Sequence, residues 1–428
     1  MAIADIETAP LGKAGSAIQI APMVMARPAP ESPIVDPSVT ARRDPAWTTG
    51  VLTPAPAVFP RRPILIANEI YRHSVYGRRH PLSIQRVTPV LDLARSLGWL
   101  DGSQYLDCRQ AGPDQLLRFH DPDYVEAVAE AERTRHVPEE IRDRYNIGRN
   151  GNPVFAEIFR RPATSSGASI LAGTLLAGVE RGVIHSLAGG THHGRRAMAW
   201  GFCFFNDPVL GILAMLDHGL ERVAYVDLDA HHGDGVQDAF HHDDRVLTVS
   251  IHEHGRWPRT GAVDDRAGGM ARNLPVPQGL NDSELDCLID RAVVPLVERF
   301  FPDALVIQTG ADGLADDPQA KLELSNRALW SAVERLVHCA PRVLVVGGGG
   351  YNPWSVARAW TGIWATLNGI DPDVPLDGAP EQVLRRLEWN HSRGRNPPEH
   401  WFTTIADPPN PGPVRDHIYR LAEAVLSP

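Results

Sequence analysis

Val223-Ala-Tyr-Val226 runs directly into Asp227-Leu-Asp-Ala-His-His-Gly-Asp234. Four continuous apolar or aromatic residues suit a strand buried on both faces. The polar cluster that follows places Asp229 and His231 two residues apart, so on an extended strand end both side chains point the same way and can reach one ion. Four further runs share this design: Val183-Ile-His-Ser-Leu187 before Gly189-Gly-Thr-His-His-Gly194, Val246-Leu-Thr-Val-Ser-Ile251 before His252-Glu-His254, Ala304-Leu-Val-Ile307 before Gly310-Ala-Asp-Gly313, and Val343-Leu-Val-Val346 before Gly347-Gly-Gly-Gly-Tyr351-Asn. Helical segments lie between most of them, at Asp207 to His218 and at Asp282 to Phe301, the second with Asp282 as its expected cap. The pattern predicts an α/β fold with a single doubly wound, mostly parallel sheet flanked by helices. Ligands bind at the carboxyl ends of the strands in such sheets, so the five clusters are expected to converge on one site.

Outward from this centre the chain is less regular. Pro63-Ile-Leu-Ile-Ala67 suits another buried strand and Val87 to Leu97 an amphipathic helix, whereas Arg133 to Asn152 mixes charge with Pro and Gly and reads as a loop. Residues 1–60 are rich in Ala and Pro and read as a flexible N-terminal extension. The expected division is that extension, a catalytic domain over residues 61–375, and a C-terminal extension over 376–428 packed on it.

Composition narrows the function. Among 428 residues the hydrophobic fraction is 43% and the charged fraction 22%, ordinary for a soluble domain. The net charge of −10 lacks the basic footprint of a nucleic-acid binder. No apolar run reaches membrane-spanning length. Cys108, Cys203, Cys287 and Cys339 are widely spaced, which suits a reducing, cytoplasmic setting. An oligomer is compatible with all of this.

The clusters carry recognisable chemistry. Neutral imidazole and carboxylate suit zinc, and a catalytic zinc takes three protein ligands, so Asp312 joins Asp229 and His231. A metal-activated water needs a base within reach, and the base an orienting carboxylate. His192 and His193 supply candidate bases. Asp227 and Asp234, not needed as ligands, are assigned to His192 and His193 respectively. Gly347-Gly-Gly-Gly-Tyr351 lets backbone approach a ligand and presents one phenol as an oxyanion donor. His252 and His254 read as wall or supporting groups, and Trp257 as a substrate wall. A dimanganese ureohydrolase would need a second carboxylate after Asp312, where Gly313 and Leu314 stand.

At these residues the sequence resembles the zinc-dependent histone deacetylase family of the arginase-deacetylase fold. Gly190-Thr-His-His193, Gly201-Phe-Cys-Phe-Phe-Asn-Asp207, Asp227-Leu-Asp-Ala-His-His-Gly-Asp-Gly235, Gly310-Ala-Asp-Gly-Leu314 and Gly347-Gly-Gly-Gly-Tyr-Asn352 carry the match, from about Pro63 to Asp373. The tail around Trp389 is similar to the bacterial acetoin-utilization deacetylase branch. The resemblance implies hydrolysis of an acetyl amide, with acetylated protein or peptide as substrate and a small acetylated amine as the alternative. It implies a tunnel with Phe202 on one wall and Trp257 where relatives have Phe, Gly201 and Gly349 around the tunnel, and Arg86 lining an acetate-release cavity. It also implies one zinc, and a structural K+ or Na+ held by Asp227, Asp229, His231, Ser250 and Ile251. Two departures concern the mouth. Arg149-Asn-Gly-Asn-Pro153 lacks the family's rim acid, and Gly255-Arg-Trp-Pro-Arg259 is expected to put two arginines at the entrance.

Overall fold

The computed structural model describes residues 62–77 and 80–427, so the expected N-terminal extension lies outside the described residues. Eight strands form one sheet: β1 (Ile64–Ala67), β2 (Tyr105–Asp107), β3 (Gly182–Ser186), β4 (Val223–Asp227), β5 (Val246–Glu253), β6 (Ala271–Val276), β7 (Ala304–Gln308) and β8 (Arg342–Val346). Their order is β2-β1-β3-β8-β7-β4-β5-β6, and every pair is parallel. The five runs read as strands in the sequence are the five contiguous central ones, β3-β8-β7-β4-β5.

Two strands escaped the sequence reading because they are edges. Tyr105–Asp107 has three residues, and Ala271–Val276 carries Arg272, Asn273 and Pro275. An edge strand needs one covered side at most and tolerates polar residues and proline. The expected loop over Arg133 to Asn152 contains a short helix, Glu139–Tyr145, opened by two acids and closed by Asn146 in the left-handed conformation. The segment beginning at Asp282 is helical to Phe300, but Ile289–Val293 widens into a π turn just before Pro295, which has no N–H to donate. Its cap is Asn281, paired with Glu284 in a reciprocal box. The Asp282 carboxylate instead accepts from Ser325 and from the Asn410 N–H, tying the tail to the domain.

Burial follows the pleat. Leu65, Val345, Ile307, Val226 and Val249 share one cluster with Val90 and Leu91 of the helix Val87–Ser96 and Trp360 and Trp364 of Pro353–Leu367. The helices Arg160–Ala177 and Asp207–Asp217 pack on β3, β8, β4 and β7. Leu384, Trp401, Ile405, Ile418 and Val425 of the C-terminal segment join the same apolar cluster as the sheet. No helix among the described residues is long and apolar enough to cross a membrane.

Connectivity places the site. From β4 the chain moves to β5 and β6, then returns to β7 and β8 on the other side. The topological switch therefore falls between β4 and β7, whose carboxyl ends lead into Asp229, His231 and Asp312.

Candidate active site

Asp229, His231 and Asp312 are buried, and one ligand atom from each lies within 4.8 Å of the others. His231 Nδ1 stands 2.9 Å from Asp312 Oδ2 and 3.2 Å from Asp229 Oδ1. Backbone N–H groups orient both carboxylates: those of His231 and Gly349 donate to Asp229, and that of Ala230 donates to Asp312. A side chain at position 349 would put its Cβ 2.0 Å from Asp312 Oδ2, so only glycine lets β8's end close over the trio. Burial and the charge of Asp229 push the Asp312 carboxyl up from its ordinary value. Two buried carboxylates this close call for a cation, and an oxygen-nitrogen donor set suits a divalent metal.

The two histidines beside the trio each face a carboxylate. His192 Nδ1 donates to Asp227 at 2.7 Å, and His193 Nδ1 to Asp234 at 2.7 Å. His192 Nε2 lies 3.9 Å from Asp229, and the two imidazole centroids are 3.9 Å apart. Burial opposes protonation of both rings. In His192 the charges of Asp227 and Asp229 override it and push the ring up to about 9. In His193 burial and the neighbouring His192 charge win, and the ring is held well below its ordinary value. The two environments thus differ, the charged form being favoured at His192 and disfavoured at His193.

Other residues hold this arrangement, and sequence reasoning missed them. Arg195 donates to the second oxygen of Asp234, at 2.5 Å. The Tyr225 hydroxyl donates to Asp227 Oδ2 at 2.8 Å. Asp207, quoted in the family match and at the start of a helix but given no role, accepts from Gly190 and Thr191 N–H and from the Ser169 hydroxyl. Asn206 donates to the carbonyls of His192 and Gly194. An Asn-Asp pair at a helix start was the available signal, since such residues bond outward to loops as readily as they cap. Asp317 accepts from the Tyr351 N–H at 2.6 Å and sets where that phenol stands.

A cavity runs from this centre inward. Tyr351, Phe202, Gly201, His192, His193 and Gly349 line its outer part, and Arg86 its inner part, where Arg86 donates to the Gly348 carbonyl at 2.7 Å. Burial and the nearby Asp312 and Asp229 charges push the Tyr351 phenol well up, so it remains a proton donor. The rings of Phe202 and Tyr351 meet edge to face at 6.1 Å. Trp257 covers His193 at 4.7 Å and is 39% exposed, so it stands at the entrance rather than within the cavity. Gly201 has φ +54°, and a Cβ there would come 2.5 Å from both the His193 and Trp257 rings. Asp227 and Ser250 lie opposite each other in the β4–β5 register, with Ile251 next along. His252 is not a wall: its ring bonds Ser250 and the Gly261 carbonyl, tying the mouth loop to β5, while His254 is exposed.

The mouth differs from expectation. Arg256 is no free charge, because it forks onto buried Glu253 at 3.0 and 2.7 Å. Arg259 alone of the two is exposed without an ion-pair partner among the described residues. At the rim segment, Asn150 donates to Asn146 and Arg149 pairs with Glu139 and Asp143.

Comparison with known proteins agrees with this geometry. The histone deacetylase domain matches residues 80–367. The chain is 32% identical over 338 residues to the acetoin utilization protein AcuC of Bacillus subtilis, covering 76% of this chain and 86% of that protein. It is 38% identical over 311 residues to histone deacetylase 9 of Arabidopsis thaliana, covering 71% and 72% respectively. A solved histone deacetylase homolog from Aquifex aeolicus superposes with a TM-score of 0.81 at 32% identity, covering 86% of this chain and 100% of that one. A matched domain that contains every strand end of the site, together with relatives more than 30% identical over most of both chains, establishes that this chain belongs to the histone deacetylase family of hydrolases.

Proposed function

We propose that the protein hydrolyses N6-acetyl-lysine in proteins or peptides, giving acetate and the free amine, with one zinc held by Asp229, His231 and Asp312. The carrying observation is the convergence of that trio, the two His–carboxylate pairs and the Tyr351 phenol on one cavity. When bound, zinc supplies Lewis-acid polarisation of the acyl carbonyl and acidifies water.

The chain's own residues do the rest. Tyr351 donates its phenolic hydrogen bond to the carbonyl oxygen as negative charge develops there. His193, neutral and oriented by Asp234, takes the proton of the attacking water and returns it to the leaving amine. Protonated His192, anchored by Asp227, stabilises the developing anion. Phe202 and Trp257 flank the aliphatic stem of the lysine. Asp227, Asp229, His231, Ser250 and Ile251 are the residues that would hold a structural K+ or Na+. Four unpaired cysteines support a reducing, cytoplasmic setting.

A second reading is a small acetylated amine such as an acetylpolyamine. It is favoured by the rim, where Asn150 bonds to Asn146 and the segment Arg149 to Pro153 contains no acid to offer a peptide backbone. Zinc-loaded protein assayed against acetyl-lysine peptides and acetylpolyamines separates the two. Turnover of peptides is expected. Turnover of acetylpolyamines alone replaces the first reading with the second, and hydrolysis of neither overturns both.

A further inference from the structure

The inner end of the cavity holds a second guanidinium beside Arg86. Arg161, on the first turn of the helix Arg160–Ala177, is 7% exposed and lines the same cavity. One of its nitrogens donates to the Ser74 carbonyl at 2.7 Å. Its planar head lies over the rings of Tyr71 and Tyr76, 4.9 and 5.3 Å from their centroids. Those phenols are committed elsewhere, Tyr71 to the Arg161 carbonyl and Tyr76 to the Phe202 carbonyl. Arg86 lies over Trp360, and its Nε has no hydrogen-bond partner among the described residues.

Neither arginine forms an ion pair with a carboxylate among the described residues. Aromatic faces recover part of the cost of burying a cation but do not neutralise it. A buried and a half-buried guanidinium, neither ion-paired and only Arg86 feeling the Asp312 charge, are a mismatch that an anion from outside would resolve. One such anion is the acetate product, which a single guanidinium suffices to hold. Two forks lining one cavity can also grip a carboxylate that is still attached to the substrate.

The direction of the substrate fits. Trp257 and Phe202 mark the entrance, so the amine side of the scissile amide leads outward and the acyl side points at Arg86 and Arg161. We propose that, beyond acetyl groups, this site accepts acyl groups ending in a carboxylate, of the malonyl or succinyl class, and that Arg161 is the residue that selects them. The reaction is the same hydrolysis. Water oxygen bonds to the acyl carbon, the carbon–nitrogen bond breaks, the nitrogen takes up a proton, and lysine and a dicarboxylate leave. No oxidant or co-reactant is needed. The inference rests on the acyl-amide hydrolase reading above.

The test compares acetyl-lysine, succinyl-lysine and 4-methylpentanoyl-lysine peptides on the zinc-loaded full chain. The last is the neutral isostere of succinyl. Succinyl is expected to exceed it in kcat/KM by about 10- to 100-fold, the value of a charge-assisted hydrogen bond. Arg161→Leu should reduce the succinyl-to-acetyl ratio by a similar factor, and Arg161→Lys, which keeps the charge without the fork, by less. Binding gives a second readout: succinate should raise the thermal midpoint of the wild-type protein more than acetate does, and Arg161→Leu should abolish that difference. If Arg161→Leu does not fold, the isostere comparison and the succinate shift decide. Acetyl turnover with no advantage of succinyl over its isostere overturns this proposal and leaves the deacetylase reading standing. No turnover of any acyl-lysine removes both.

Discussion

Asp234 Oδ1 lies 2.7 Å from His193 Nδ1, and Arg195 holds the other oxygen of the same carboxylate. The carboxylate is 2% exposed and cannot turn to solvent, so it fixes the His193 tautomer with Nε2 free to accept a proton. Asp234→Asn removes the charge and offers an N–H to the ring in one of its two orientations. Turnover is expected to fall by about 10- to 100-fold with metal content unchanged. Undiminished kcat in a correctly folded Asn variant would rule out His193 as the base.

Tyr351 separates chemistry from support. Its backbone N–H is held by Asp317, so Tyr351→Phe leaves the loop anchored while deleting one hydroxyl. A loss of roughly 10²–10³ in kcat is expected, with KM little changed. Equal turnover of both forms would remove the phenol from the reaction.

The metal trio makes a quantitative demand. One zinc per chain is expected by elemental analysis, and chelation should abolish turnover. Stripped protein loses the metal that would bridge His231 and two buried carboxylates, so its unfolding free energy should be lower and recover on adding zinc, by about 3–4 kcal/mol at 100–1,000 times Kd. Asp312→Ala should bind little metal and show no such recovery. Two divalent metals per chain would contradict the reading, because the converging carboxylate and imidazole donors among the described residues are these three.

The central sheet was legible because strands covered on both faces must be continuously apolar, as Val343-Leu-Val-Val346 is. Edge strands escape that demand, and β6 with its Arg272 and Pro275 was invisible for that reason. Site residues showed unevenly. Asp229 and His231 are two apart on one strand, so spacing displays them. Arg195 and Asp317 act across the fold on partners that no local period reveals, Tyr225 stands only two residues before Asp227 but within an apolar run where a phenol reads as core, and Arg161 looks like an ordinary helix-start arginine until Tyr71 and Tyr76 are seen stacked on it. Arg256 misled because a mouth position suggests a free charge, while the buried acid three residues before it claims the side chain.

His185 offers a test of pH dependence away from the site. It sits in β3 between Leu65 and Val345, is fully buried, and neither ring nitrogen has a partner among the described residues. Burial pushes the ring down to about 3. Unfolded, it titrates near its ordinary value of about 6.5. Between these values the unfolded chain binds a proton that the folded chain refuses. The stability present above pH 6.5 is thus lost as pH falls, by about 1 kcal/mol between pH 7 and 5.5. His185→Leu should remove that component and gain about 1 kcal/mol at pH 7, since two unsatisfied polar atoms disappear. Denaturation of both proteins at the two pH values measures it, and equal slopes would contradict the assignment.

The two mouth arginines should behave oppositely. Glu253 is buried, and besides the Arg256 fork it accepts the Lys321 N–H at 2.7 Å, welding the entrance loop to the segment after β7. Arg256→Ala leaves that carboxylate without its countercharge. A cost of about 2–3 kcal/mol is expected, discounted from the full value for a buried pair because the Arg256 side chain is 23% exposed. Arg259 is exposed and pairs with no acid among the described residues, so Arg259→Ala should change stability by less than about 0.5 kcal/mol. It should instead alter peptide choice: kcat/KM for acetyl-lysine flanked by Asp should fall relative to a Lys-flanked peptide, and the gap between the two should shrink with added salt in the wild-type enzyme. Urea titrations of both variants beside the two-peptide assay decide the matter. A destabilised Arg259→Ala, or an Arg256→Ala that shifts flank preference at full stability, would reverse the roles assigned to them.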